Sequence, residues 1–214
     1  MNFIDKNIQN YADAHSDAET DLLQQLGRDT WAHVLAPRML SGHFQGRVLS
    51  MLSRMIHPEQ ILEIGTYTGY SAICLAEGLT ENGLLHTIEV NEELHEMIEH
   101  YVSESPFKNQ IKLYTGDAKK IIPAMNVQFD LVFIDADKES YSVYYDLVFD
   151  KVRKGGYIIA DNVLWSGNVI KPEQEWDDET EHVVNFNKKV QADSRVKNLL
   201  LPVRDGLMIV EKLV

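Results

Sequence analysis

The chain has little of what marks a secreted, membrane-spanning or nucleic-acid-coating protein. It holds one cysteine, Cys74, in 214 residues, which excludes a disulfide framework and a thiolate zinc cluster and points to a reducing compartment. No window approaches the roughly 18 apolar residues of a membrane span. Met1 to Asp29 is polar and acidic where a signal peptide would carry an apolar run, so a soluble cytoplasmic protein with no membrane partner is expected. Basic charge is scarce as well. A net charge of -13 opposes binding to nucleic acid, whose nonspecific affinity comes from neutralised phosphates. The short basic groups Lys119-Lys120 and Lys188-Lys189 read as solvated surface. No internal repeat or low-complexity tract interrupts the chain, and 44% apolar content at this length suits one domain, 1–214, around one core.

Apolar periodicity supplies the architecture. Residues 16 to 35 carry Leu22, Leu23, Leu26, Trp31, Val34 and Leu35 at helical spacing, Pro37 interrupts them, and a second helix is expected over Gly46 to Ile56. Residues 1–57 thus form a helical cover and 58–214 an α/β core. Within the core, strands are expected at 61–64, 84–90, 111–114, 129–134 and 156–160, alternating with helices at 70–78, 92–102, 118–125 and 141–152. Short apolar strands alternating with helices require a parallel sheet covered on both faces. The pattern then changes. After a loop over 164–177 and a helix over 178–192, strands at 197–201 and 206–212 are separated by too few residues for a crossover helix, so they must pair antiparallel. Five parallel strands with a terminal antiparallel pair resemble the Rossmann-like class I methyltransferase fold, a seven-stranded, mostly parallel sheet; that resemblance implies S-adenosylmethionine as cofactor.

The first strand runs into Glu63-Ile64-Gly65-Thr66-Tyr67-Thr68-Gly69. This is not the dinucleotide fingerprint, since Glu63 stands where the first glycine belongs. A carboxylate there repels a pyrophosphate and suits a ligand carrying ammonium and sulfonium charge. Gly65 and Gly69 allow a tight turn and close approach, and Ser71 offers a hydroxyl at the helix start. Glu89 closes the second strand, about 20 residues after the turn, where one carboxylate can accept from both hydroxyls of a ribose. Gly116-Asp117-Ala118 follows the third strand. Asp117 either accepts from an exocyclic amine of adenine or caps the helix beginning at Ala118.

Two further apolar runs end in oxygen-bearing side chains: Leu131 to Ile134 leads into Asp135, and Tyr157 to Ala160 leads into Asp161-Asn162. If these runs are neighbouring strands, three hard oxygen donors meet at one sheet edge. They suit magnesium, with manganese or calcium also accommodated, and they do not suit copper or structural zinc. His33 and His43 are left out of that donor set.

Phe133-Ile134-Asp135-Ala136-Asp137-Lys138 together with Ala160-Asp161-Asn162 resembles the cation-dependent O-methyltransferases of the catechol and caffeoyl-CoA type. The likeness extends to 61–71, Glu89 and Leu40-Ser41-Gly42. It implies that Asp135, Asp161 and Asn162 hold magnesium and that Lys138 is the catalytic base. It also implies that Ser41, Glu63, Gly65, Tyr67, Gly69, Ser71, Glu89, Asp117, Ala118 and Asp135 bind S-adenosylmethionine. Lys138, Asp161, Asn162 and Trp165 would meet a vicinal dihydroxy aromatic acceptor.

The chemistry has use for such an arrangement. A phenol is only about one part in a thousand ionised at pH 7, a deficit of roughly 4 kcal/mol. A dication touching both oxygens offsets much of that and orients the attacking one. Beside a dication, the ammonium form of Lys138 is disfavoured, which frees it to take the proton. The methyl transfer is an in-line displacement, so alignment should dominate the rate. Asp137 reads as a solvated loop acid. The loop over 164–177 is the expected substrate loop, and its acidity argues against a coenzyme A thioester, although Lys171 and Arg204 could meet phosphates. Family resemblance adds a homodimer. Methylation of a tRNA wobble hydroxyuridine, which requires a basic face, and cofactor binding without catalysis are the competing readings.

Overall fold

The computed structural model describes residues 4–214. Three helices precede the first strand: Lys6–Ala14 (α1), Asp21–His33 (α2) and Gly42–Ile56 (α3). The core then alternates through Gln60–Ile64 (β1), Tyr70–Ala76 (α4), Leu84–Glu89 (β2), His95–Glu104 (α5), Ile111–Thr115 (β3) and Ala118–Ala124 (α6). It continues with Phe129–Ile134 (β4), Tyr141–Phe149 (α7), Val152–Ala160 (β5), Asp178–Ala192 (α8), Val196–Leu201 (β6) and Leu207–Lys212 (β7). The strands form one sheet in the order β3-β2-β1-β4-β5-β7-β6. The first five run parallel, whereas β7 inserts between β5 and β6, antiparallel to both.

This order reverses between β1 and β4: the chain moves outward from β1 to β3 and returns to the other side of β1. Crossover connections leave each strand's C-terminal end facing one edge, and a crevice opens where the direction of winding switches. Register lines the strand ends up in a row. Gly116 donates its N–H to the Glu89 carbonyl at 2.8 Å, Gly65 to Ile88 at 3.0 Å, Asp135 to Ile64 at 2.9 Å and Asp161 to Ile134 at 2.9 Å. Gly65 is required by the closeness of this packing. Its φ is +96°, and a Cβ there would lie 1.9 Å from the Asp135 carbonyl oxygen.

Alternation along the strands loads both faces. Leu62, Val132 and Ile134 pack beneath α6, α7 and α8 with Tyr145, Phe149 and Phe186. Ile61, Leu131 and Phe133 pack beneath α2 to α5 with Leu23, Leu49 and Tyr70. Each such fully buried apolar side chain contributes about 1.5–3 kcal/mol. Among the described residues, no helix is long and apolar enough to cross a membrane.

Three elements depart from expectation. Helix α1 had no counterpart in the apolar pattern: none of its residues is buried, and Asp5 caps it by accepting from the Asn7 N–H at 2.8 Å. The strand expected at 156–160 begins earlier, with Lys154-Gly155-Gly156 forming a bulge inside β5, because the register jumps from Phe129 opposite Val152 to Leu131 opposite Tyr157. Gly155 absorbs that jump at φ +72°, so β5 begins at Val152 and α7 ends at Phe149. The long loop contains two short 3-10 turns, Trp165–Ile170 and Glu173–Glu175.

Candidate active site

A cleft of 2040 Å³ runs along the row of strand ends. One half is walled by Glu89, Asp117, Ala118, His100 and Tyr101, and the other by Lys138, Asp161, Asn162, Trp165 and Arg204, with Gly65 and Asp135 between them. Most of the expected residues therefore share one cavity, Ser41 and Tyr67 included.

Glu89 is 7% exposed. Its Oε2 accepts from the Tyr67 N–H at 2.7 Å and its Oε1 from the Asn91 N–H at 2.9 Å. Two backbone donors leave lone pairs free and hold the carboxylate rigidly at the end of β2. Asp117 caps α6 by accepting from the Lys119 N–H at 2.9 Å, and it also lines the cleft.

Glu63, Gly69 and Ser71 do not line the cleft. Glu63 is fully buried under the turn, where its Oε2 accepts from Thr87 Oγ1 at 2.5 Å while Oε1 has no partner among the described residues. Burial pushes its pKa up to about 8, against the opposing hydrogen bonds from Ser71 and Thr87. The charge argument made for Glu63 is corrected accordingly: the carboxyl lies behind the turn rather than on the cleft wall, and burial disfavours its ionised form. Exposure decides this, and exposure could not be read from the motif.

At the other half, Lys138 is 7% exposed, and its ammonium joins the two strand ends. Nζ donates to Asn162 Oδ1 at 2.8 Å and Asp135 Oδ1 at 3.4 Å. It also donates to the hydroxyl of Tyr141, which itself donates to the Asp161 carbonyl at 3.0 Å. Tyr141 is thus a buried support for the lysine. Trp165 faces the cleft with its ring centroid 5.7 Å from Lys138 Nζ. Trp176 instead donates to the Lys171 carbonyl and does not line the cavity. Asp137 accepts from Tyr144 Oη at 2.6 Å, so it is a bonded residue of the cleft wall rather than a freely solvated acid. His43 is engaged with the Asp17 carbonyl at 2.7 Å.

Asp161 is 3% exposed; burial and the neighbouring Asp135 carboxylate push its pKa up to about 7. Two carboxylates and an amide oxygen converge there, with a lysine ammonium reaching two of the three residues. Such a set is short of positive charge, and hard oxygens suit magnesium, manganese or calcium. A divalent cation therefore fits these residues, with the ammonium standing in for part of its charge. Among the described residues no group of three or more His, Cys, Asp or Glu could hold a metal; a set of two carboxylates and one amide lies outside that description.

Sequence reasoning missed Gln45. It sits on α3 four residues after Ser41, 1% exposed, and donates through Nε2 to Asp161 Oδ2. The i, i+4 relation to Ser41 was the available signal.

The profile of a family described as O-methyltransferase matches residues 13–213. The caffeoyl-CoA O-methyltransferase of Medicago sativa is 31% identical over 180 residues, covering 79% of this chain and 73% of its own. The O-methyltransferase TomG of Streptomyces achromogenes, involved in tomaymycin synthesis and solved with SAM, superposes with a TM-score of 0.89 at 26% identity, covering 97% of this chain and 96% of that one. An O-methyltransferase from Bacillus cereus, solved with SAH, gives a TM-score of 0.87 at 27% identity, covering 96% and 97%.

Proposed function

The chain belongs to the O-methyltransferase family and is an S-adenosylmethionine-dependent O-methyltransferase, and from that premise we propose that it methylates one hydroxyl of a catechol-type small molecule with the help of a divalent cation. The observation that carries this reading is the convergence of Asp135 and Asn162 within 3.4 Å of the Lys138 ammonium, with Asp161 beside them on the adjoining strand end.

In this reading Asp135, Asp161 and Asn162 hold the cation, magnesium by preference. When bound, it supplies Lewis-acid polarisation of the vicinal hydroxyls and fixes their orientation. Glu89 accepts from the ribose hydroxyls, while Gly65 and Tyr67 let the turn close against the cofactor. Asp117 and Ala118 flank the adenine. When bound, the cofactor would supply the electrophilic methyl on sulfur, with the neutral thioether as leaving group. Lys138 Nζ is the group placed to take the proton of the attacking hydroxyl. Tyr141 holds Lys138 in place from behind, and Trp165 offers a ring against a flat acceptor.

Asp177, Glu179 and Asp205 line the acceptor half with Arg38 and Arg204. That balance favours an uncharged catechol over a polyanion, tRNA included. A caffeoyl-CoA-type acceptor is the second reading, supported by the names of relatives such as the Medicago sativa enzyme and by the two arginines at the mouth.

The test is a methyl-transfer assay with S-adenosylmethionine, pairing free catechols with their coenzyme A thioesters, with and without chelator and magnesium add-back. Turnover of free catechols that disappears with chelator and returns with magnesium is expected. Chelator-insensitive turnover would remove the cation, and turnover of the thioesters alone would replace the acceptor.

A further inference from the structure

The mechanism above leaves one polar side chain at the centre of the site unused. Gln45 is 1% exposed and flanked on α3 by buried Gly46 and Leu49. Burying a primary amide costs free energy unless it is bonded, and an aliphatic side chain could occupy this helix face at lower cost. The amide spends its Nε2 on Asp161 Oδ2. The other carboxylate oxygen, Oδ1, accepts from the Asn162 N–H at 2.7 Å. Asp161 is therefore held by two donors, one on each oxygen and each from a different element. A carboxylate bonded through one oxygen alone can turn about its last side-chain bond, which has a broad torsional preference.

We propose that Gln45 is a positioning residue for Asp161, fixing the plane of the carboxylate so that its remaining lone pairs converge with the oxygens of Asp135 and Asn162 on one divalent cation. The residue type matters. Lysine or arginine in this place would neutralise the charge that attracts the cation, and an acid would repel Asp161. An amide satisfies a lone pair without spending the charge. Groups of this kind, one bond removed from a metal, commonly change affinity by about 10–100-fold when removed. Gln45 belongs to α3, whereas the three ligands close β4 and β5, so the N-terminal helices contribute directly to the cation site.

The inference rests on the cation reading given above, and the experiment separates the two. Mn²⁺ alone is titrated into the full chain, without cofactor or acceptor, and free ion is counted by electron paramagnetic resonance. Wild type should bind it and Asp135→Ala should not. Gln45→Met keeps length and removes the donor; its Mn²⁺ Kd should rise about 10–100-fold. Leu49→Ala, one turn further along the same helix, loosens α3 without touching Asp161 and should leave the Kd within about threefold of wild type, inside the usual tolerance for distant sites. Gln45→Met binding like wild type would overturn the inference while leaving the cation reading intact, and so would equal losses in Gln45→Met and Leu49→Ala. No Mn²⁺ binding by wild type, or wild-type affinity in Asp135→Ala, would overturn both.

Discussion

Replacing Glu63 with glutamine should make the ligand-free protein progressively more stable than wild type as pH rises. The Glu63 pKa is displaced from an ordinary 4.5 to about 8, chiefly by burial, and each tenfold of that displacement is worth about 1.4 kcal/mol. Ionising this carboxyl inside the folded chain therefore costs about 5 kcal/mol. The sign follows from proton counting. The unfolded chain loses the Glu63 proton near pH 4.5, while the folded chain keeps it until about pH 8. Between those values unfolding releases a proton, so wild-type stability falls as pH rises, and above pH 8 the penalty is complete. Glutamine cannot ionise and has no such slope. Any fixed cost of placing its amide beside Thr87 is the same at every pH, and Asp161 titrates alike in both proteins. The stability difference, variant minus wild type, should thus climb by about 4 kcal/mol between pH 5 and pH 8 and then level off. Urea unfolding at unit pH steps, without cation or cofactor, measures it directly. A difference that stays flat within about 1 kcal/mol over that interval would falsify the claim that Glu63 is buried in its protonated form.

Two further outcomes address the site. Lys138→Ala should lower turnover by about 10²–10⁴-fold, the usual contribution of a positioned base, while calorimetry finds S-adenosylmethionine affinity unchanged; a matching loss of cofactor affinity would mean that Lys138 serves the cofactor instead. Glu89→Ala removes a charged acceptor worth about 1.5–3 kcal/mol per hydrogen bond, so the cofactor Kd should rise at least tenfold with little change in the acceptor KM. Equal effects on both ligands would contradict the ribose assignment.

Much of this site is legible along the chain because a parallel sheet puts every strand's C-terminal end on one edge. Once 61–64, 84–90, 129–134 and 156–160 are seen as buried strands, the residues at or just past their ends are neighbours of one another, and Gly65, Glu89, Asp135 and Asp161 stand there. Helix α1 escaped because an exposed helix held by an Asp5 cap and local bonds has no apolar stripe facing a core. The bulge in β5 escaped because Gly155-Gly156 has the composition of a turn, and only the pairing with β4 reveals that the strand resumes on both sides. That β7 inserts between β5 and β6 was equally hidden, since a short turn after β6 demands antiparallel pairing but does not say which edge of β7 meets β5.

Local sequence determined the elements, their alternation and the chemical groups at each strand end, because these depend on side-chain periodicity and on residues adjacent in the chain. Tertiary structure alone decided the burial of Glu63, the support of Lys138 by Tyr141 and the grip of Gln45 on Asp161. Each of these depends on solvent exclusion or on partners far apart in sequence, up to 116 residues between Gln45 and Asp161, and desolvation and hydrogen bonding exist only once the intervening chain has folded around them.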